Sequence, residues 1–225
     1  MTAPKKASSA LDAATLGLSL VVGGLGVWTV FAGPTELLPI HYGISGRADD
    51  WGTRETVGGV LIGMALLTLL IGGGMGAASR RAEDPARARA LRYAQFVVIL
   101  TLPLVSLLAA SASLSGTTDI GGAVPIALIS LVLLLTGAFL GRVGPNPFVG
   151  VRTPWAYKSR LAWDRSNRLA GRLFFVIGLA GLLTAPFAPR PLGLYALLGA
   201  IGLAAVWSIF ESWRVWRADP DRQPF

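Results

Sequence analysis

Six apolar runs, each close to the length of a membrane-crossing helix, constrain the fold of this chain more than any other feature. They lie at about 11–32, 57–78, 94–115, 123–141, 169–188 and 191–213. A helix needs about 20 apolar residues to cross about 30 Å of hydrocarbon. No water is present there to bond an open backbone, so each run is expected to be helical. The sequence therefore predicts an all-α polytopic membrane protein: a single membrane domain over residues 1–225 with six transmembrane helices.

The composition agrees with a membrane protein and limits the chemistry of the chain. Hydrophobic residues make up 53% of the sequence and charged residues only 14%, whereas about a quarter of a soluble domain is charged. Cysteine is absent, which excludes disulfides and thiolate catalysis. The one histidine, His41, excludes zinc sites built from two imidazoles. We therefore expect no catalytic residues, no metal and no cofactor.

The basic residues are distributed unevenly among the connecting segments. Of the 20 Lys and Arg residues, all but Arg47, Arg54 and Arg190 lie in alternate segments that include both termini. Lys and Arg accumulate on the cytoplasmic side of membrane proteins, so both termini are predicted to be cytoplasmic. The outer loop then spans 33–56 and the inner motif loop spans 142–168. This topology explains the net charge of +8 without any binding of nucleic acid.

The segment from Ser79 to Arg92 contains five arginines and is predicted to be a cytoplasmic turn. It is expected to anchor the protein to anionic lipids of the inner leaflet. A docking site for a cytoplasmic protein is the alternative.

Small residues and one acid in the apolar runs predict specific contacts. Gly59-x-x-x-Gly63 and Gly72-x-x-x-Gly76 have the spacing that allows helix backbones to approach closely. Glu211, at the end of the sixth run, is predicted to pair with Arg214 or Arg217. The glycine spacings are expected to serve packing within one molecule, and a face for dimerisation is the alternative.

The inner motif loop combines proline, glycine, tryptophan and arginine in a way that suggests binding. Asn146 lies between two prolines, which restrict the backbone around it, and Gly150 permits a positive φ. Arg152 offers a planar fork for a carboxylate, a phosphate or helix carbonyl groups. Trp155 and Trp163 are suited to stack on that guanidinium or to anchor at the interface. The alternative is that these residues only shape a tight connector, with Arg152 capping a helix end.

After this loop, a helix is predicted to begin at Ser159, whose side chain is a suitable cap. Asp164 is spaced to pair with Arg160 or Arg168 on that helix.

The outer loop contains the second set of candidate residues. His41 and Asp50 are predicted to form a pH-sensitive pair or a weak cation site. Internal hydrogen bonding within a folded element is the alternative, and Asp49 with Asp50 as paired catalytic acids is the least supported interpretation. Because this loop is predicted to face outward, it is where an extracellular peptide would first meet the protein.

Two groups of residues together resemble a known family. The inner loop carries the pattern of the SdpI family of bacterial membrane proteins: Gly141, Pro145, Asn146, Phe148, Gly150, Arg152, Thr153, Pro154, Trp155, Trp163, Asn167, Arg168 and Gly171. Upstream, residues 38–42 with Gly46, Asp50 and Trp51 resemble a domain of unknown function that often precedes it. Gly43 and Ala156 depart from the usual residues of these patterns, which leaves hydrogen-bonding roles at both positions open.

The resemblance implies a function and a set of partners. The founding member of the family gives immunity to a secreted, membrane-active peptide toxin and signals by holding a repressor at the membrane, so the resemblance also implies a location in the bacterial plasma membrane. It therefore implies binding rather than catalysis, with a peptide toxin and a cytoplasmic regulator as partners. The implied binding residues are Asn146, Gly150, Arg152, Thr153, Trp155, Trp163, Asn167, His41 and Asp50. A small transporter or flippase, and a lipid-acting membrane enzyme, are the alternative functions.

Overall fold

The computed structural model describes residues 9–142, 144–145 and 149–223, which form seven α-helices, a short 3-10 helix (Ala185–Phe187) and one hairpin. The helices are α1 (Ala10–Ala32), α2 (Arg54–Arg81), α3 (Pro85–Leu114), α4 (Ala123–Leu140), α5 (Pro154–Tyr157), α6 (Arg160–Thr184) and α7 (Leu192–Ala218), and the strands are β1 (Leu38–Tyr42) and β2 (Ala48–Gly52). All of the α-helices except the short α5 are long and apolar enough to cross a membrane. The predicted all-α architecture with six membrane-length helices is confirmed.

The chain folds into two compact units, Met1–Gly121 and Gly122–Phe225. The first contains α1, α2, α3 and the hairpin, and the second contains α4 to α7. The single membrane domain expected from the sequence stays a prediction.

In the first unit, α1 and α2 pack with their backbones in close contact at a glycine pair. A Cβ built on Gly58 would lie 2.6 Å from the carbonyl oxygen of Gly26, and one built on Gly26 would lie 2.8 Å from that of Gly58. The predicted contact at Gly59 and Gly63 is wrong, because no atom lies within 4 Å of either Cβ position. A glycine spacing identifies a stripe on a helix, but the partner helix determines which stripe is buried.

The second predicted glycine pair does face neighbouring helices. The Cβ position of Gly72 lies 3.0 Å from Cγ2 of Thr15 on α1, and that of Gly76 lies against the Asp12 carboxylate. These glycines make room for side chains of α1 and not for its backbone.

The hairpin occupies the predicted outer loop. β1 pairs antiparallel with β2, and Leu38 is buried in a core cluster with Val22, Val57 and Leu61. Ser113 of α3 donates a hydrogen bond to the carbonyl of Pro39 at 2.7 Å. The sequence shows no alternation of apolar and polar residues here that would have predicted strands.

The hairpin is also tied to the end of α3. Tyr42 donates its hydroxyl to the carbonyl of Thr117 at 2.8 Å, and burial raises the pKa of the Tyr42 phenol, which keeps it a donor. The amide of Ala48 donates to Thr118 at 2.8 Å. These bonds hold the hairpin to the unit that carries it.

The predicted turn from Ser79 to Arg92 is mostly helical. Only residues 82–84 lie between α2 and α3, and the Ser79 hydroxyl donates to the carbonyl of Ala88 at 2.9 Å. Alanine and arginine are strong helix formers, and Pro85 is tolerated in a first helical turn, so both helices extend beyond their apolar runs.

In the second unit, α4 and α6 pack closely along a row of small residues. A Cβ on Gly171 would lie 3.0 Å from the carbonyl oxygen of Gly137, and one on Gly178 would lie 2.6 Å from that of Ser130. Such close approach is what small residues permit between membrane helices. This packing sets the position of the C-terminal end of α4 relative to α6. The inner motif loop connects the two helices.

Candidate functional site

Two hydroxyl caps hold the inner motif loop against α7. Thr153 precedes α5, and its Oγ1 accepts from the amide of Ala156 at 3.1 Å and lies 2.5 Å from the Ser212 hydroxyl of α7. Ser159 caps α6 as predicted, accepting from the amide of Ala162 at 3.0 Å. The Ser159 hydroxyl donates to the Asp219 carboxylate at 2.5 Å. Each cap thus lies where a helix begins and ties the loop to the C-terminal end of α7.

A second set of contacts fastens the loop to α6. The Asn167 side-chain oxygen accepts from the amide of Val151 at 2.8 Å, and its nitrogen donates to the carbonyl of Trp163 at 2.9 Å. Gly150 has a φ of 131°, and a Cβ there would lie 2.6 Å from the Asn167 oxygen and 3.0 Å from the Trp163 ring. Trp163 is 0% exposed, and its centroid is 6.0 Å from that of Tyr157. We call Gly150, Val151, Trp163 and Asn167 the loop lock.

The structure thus separates the predicted motif residues into two groups. Gly150, Trp163 and Asn167 meet in the loop lock, and Thr153 is buried against Ser212. Arg152 is exposed and Trp155 is half-buried, and their predicted role in binding stays a prediction. The predicted residue Asn146 lies outside the described residues.

The end of α7 contains the predicted acid–arginine pair. Arg214 donates to both carboxylate oxygens of Glu211, each at 2.8 Å, which confirms the predicted pairing. The Arg217 guanidinium lies 5.5 Å from the Trp213 centroid. Among the described residues, Asp164 forms no ion pair with Arg160 or Arg168, so that prediction is wrong: α6 exposes Asp164 to solvent instead.

The histidine of the hairpin has a different partner from the one predicted. Nδ1 of His41 lies 2.5 Å from Oδ1 of Asp49, while Asp50 accepts from the amide of Trp51 at 2.9 Å. His41 is opposite Asp50 in the backbone register, but the register shifts on both sides of His41. Such irregularities redirect side chains, and the sequence does not reveal them. Across the part of the chain that the structure describes, no group of three or more His, Cys, Asp or Glu side chains is placed to hold a metal.

A polar cluster at one end of the first unit was not predicted from the sequence. The Asp12 carboxylate accepts from Arg80 at 2.6 Å, Arg92 at 2.7 Å and Gln95 at 3.0 Å. Gln95, fully buried, also donates to the Thr15 hydroxyl at 3.0 Å. The cluster joins α1, α2 and α3. An acid at the start of an apolar run was the signal that could have found it, since such residues take a partner when they enter a membrane.

This architecture is that of a multi-pass membrane protein whose polar loop is fixed by buried hydrogen bonds. The model of the SdpI/YfhL protein family matches residues 142–212, which include the loop lock, α5, α6 and most of α7. The predicted resemblance to the SdpI family is therefore confirmed for this segment. No curated protein and no solved structure matches the chain, and the resemblance of residues 38–51 to a second domain stays a prediction.

Proposed function

We propose that the protein binds a membrane-active peptide at a bacterial plasma membrane and thereby protects the cell that makes it. The observation that carries this proposal is the family match over residues 142–212, because the resemblance implies immunity to, or sensing of, a secreted peptide toxin.

The bonding of the matched segment supports binding over catalysis. The side chains of Thr153 and Ser159 form their hydrogen bonds as helix caps, and the side chain of Asn167 forms its hydrogen bonds within the loop lock. A nucleophile or general base needs an atom within reach of a substrate, and these atoms face the protein interior. In this proposal, the exposed Arg152 and the half-buried Trp155 would contact a partner.

The hairpin supports a cationic, amphipathic peptide as the ligand. Trp51 is 46% exposed, and Ile40 and Ile44 are also exposed. Acids outnumber arginines in this loop: Glu36, Asp49, Asp50 and Glu55 against Arg47 and Arg54. An acidic surface with exposed apolar groups attracts a cationic peptide and then buries its apolar face.

Protection of living cells tests the proposal. Cells with and without the protein are exposed to a cationic amphipathic helical peptide of about 20 residues, long enough to span the bilayer, and membrane potential is recorded with a dye. An uncharged hydrophobic peptide of the same length is the comparison. The protein is expected to raise severalfold the concentration of cationic peptide that depolarises half of the cells.

Substitutions in the inner motif loop test whether protection depends on its motif residues. Arg152→Ala and Trp155→Ala are expected to lower protection at equal protein level. Lys158→Ala removes an exposed cation from the same loop and is expected to leave protection unchanged. Loss of protection in the Lys158 variant alone, or none in any variant, would contradict the role given to the motif.

A further inference from the structure

One face of α6 carries three arginines that lie outside the loop lock and its caps. Arg165, Arg168 and Arg172 are spaced three and four residues apart, which places them on one side of a helix, and all three are exposed. No ion pair with any of them occurs among the described residues. Both carboxylate oxygens of the nearby Glu211 accept hydrogen bonds from Arg214.

These arginines line two adjoining grooves in the second unit. A groove of about 320 Å³ on the α7 side is bordered by the three arginines, by Leu169 and Trp207, and by the carboxylate of Glu211 that Arg214 already pairs. A groove of about 480 Å³ on the α4 side contains the same Arg168 and Arg172. The turn that follows α4 adds a further cation, Arg142, to this groove, and α6 adds the exposed apolar side chains of Phe175 and Val176.

The arginine face continues directly into a strip of exposed apolar side chains. Farther along α6, the exposed residues are Phe175, Val176, Leu179 and Leu183, and Trp207 is exposed on α7. This part of the chain belongs to a helix of membrane-crossing length, Arg160–Phe187. Cations at one end of an apolar strip match the two parts of an amphiphile whose head is negatively charged.

We propose that Arg168 and Arg172, with Arg142 and Arg165 on either side, bind the phosphate of an anionic phospholipid whose acyl chains lie along the apolar strip of α6. Guanidinium groups bind phosphate oxygens through two parallel hydrogen bonds. The concentration of basic residues on one side of a membrane protein explains why cations are present. It does not explain why four of them border two grooves that share a wall. This site is independent of the peptide-binding proposal.

Lipid retention by the purified protein tests the site. The full-length protein is delipidated in detergent, titrated with phosphatidylglycerol or phosphatidylcholine, and the bound lipid is counted by native mass spectrometry. Wild type is expected to retain phosphatidylglycerol in preference to phosphatidylcholine, and the double variant Arg168→Gln, Arg172→Gln is expected to lose about tenfold in apparent affinity, since removal of charge-assisted bonds changes binding on this order.

The control removes the same charge elsewhere. Lys158→Gln with Arg160→Gln, two exposed cations of the second unit that border neither groove, is expected to retain wild-type affinity. A double variant Arg168→Lys, Arg172→Lys keeps the charge but not the planar fork, and weaker binding by it supports the site even if the glutamine variant does not fold. Equal losses in the two glutamine variants, wild-type affinity in the lysine variant, or equal binding of inorganic phosphate would overturn the proposal.

Discussion

Gly150 shows how a single residue sets the form of the inner motif loop. Its φ of 131° lies where side chains are rarely found, and its Cβ position is filled by Asn167 and Trp163. Only a residue without a side chain lets the backbone of Val151 reach the Asn167 oxygen. Gly150 and Asn167 therefore act together. The hydrogen bond that depends on both joins Val151 to Asn167, which are 16 positions apart in the sequence.

Gly150→Ala is expected to lower the free energy of unfolding by about 1–3 kcal/mol, the cost of a strained backbone conformation. The measurement is denaturation in detergent followed by tryptophan fluorescence. Gly199→Ala on α7, where no atom lies within 4 Å of the Cβ position, is the control. An alanine at residue 150 that is as stable as the one at residue 199 would show that the loop lock does not constrain the loop.

The sequence predicted that Gly150, Trp163 and Asn167 matter, but not that they touch. The residue types of Gly150 and Trp163 indicated a positive φ and an aromatic anchor, and Asn167 was implied only by the family resemblance. Which backbone group the amide bonds depends on how the loop folds back over α6, a tertiary contact that no local pattern encodes. The same holds for His41, whose partner Asp49 was set by strand irregularities.

Among the helices, the contact between α1 and α2 depends on glycine at residue 58 and not at residue 59. The two neighbours differ in what their Cβ positions meet: Val30 Cγ2 at 2.5 Å for Gly58, and nothing within 4 Å for Gly59. Adjacent positions on a helix point about 100° apart. Substitutions at Gly58 and Gly59 therefore compare a face of α2 that contacts α1 with a face that contacts nothing.

Gly58→Ala is expected to destabilise the first unit by about 1–3 kcal/mol, because an added methyl forces two backbones apart. Gly59→Ala is expected to be neutral or slightly stabilising, since alanine favours the helix. Unfolding in sodium dodecyl sulfate, followed by circular dichroism, measures both. Equal effects would mean that the two helices do not meet at this face.

The existence of the long helices could be predicted because hydrocarbon leaves few alternatives for an apolar run. Their ends could not, because α2 and α3 extend through arginine-rich sequence beyond any apolar boundary. The reason is the cluster around Asp12: its carboxylate satisfies Arg80 and Arg92, so those two cations lie against protein. The lipid anchor predicted for this segment would therefore consist of the exposed Arg81, Arg87 and Arg89.

For the molecule as a whole, the orientation in the membrane that the basic residues predict is open to a direct test. The chain has no cysteine, so one introduced thiol is a unique label. Ser45→Cys in the hairpin turn is expected to react with a membrane-impermeant maleimide in intact cells. Glu83→Cys, between α2 and α3, is expected to react only after permeabilisation. The reverse pattern would invert the orientation, and with it the side on which the peptide is met.

Binding of the peptide to the purified protein tests the account most directly. The protein is placed in lipid nanodiscs, and a fluorescent derivative of the cationic peptide is titrated while mass spectrometry follows its integrity. Saturable binding of an intact peptide is expected, weakened severalfold by Trp51→Ala and unchanged by Trp28→Ala, a tryptophan of similar exposure, 50%, on α1. Binding that does not saturate, or a peptide that is cleaved or modified, would contradict a protein that protects by binding.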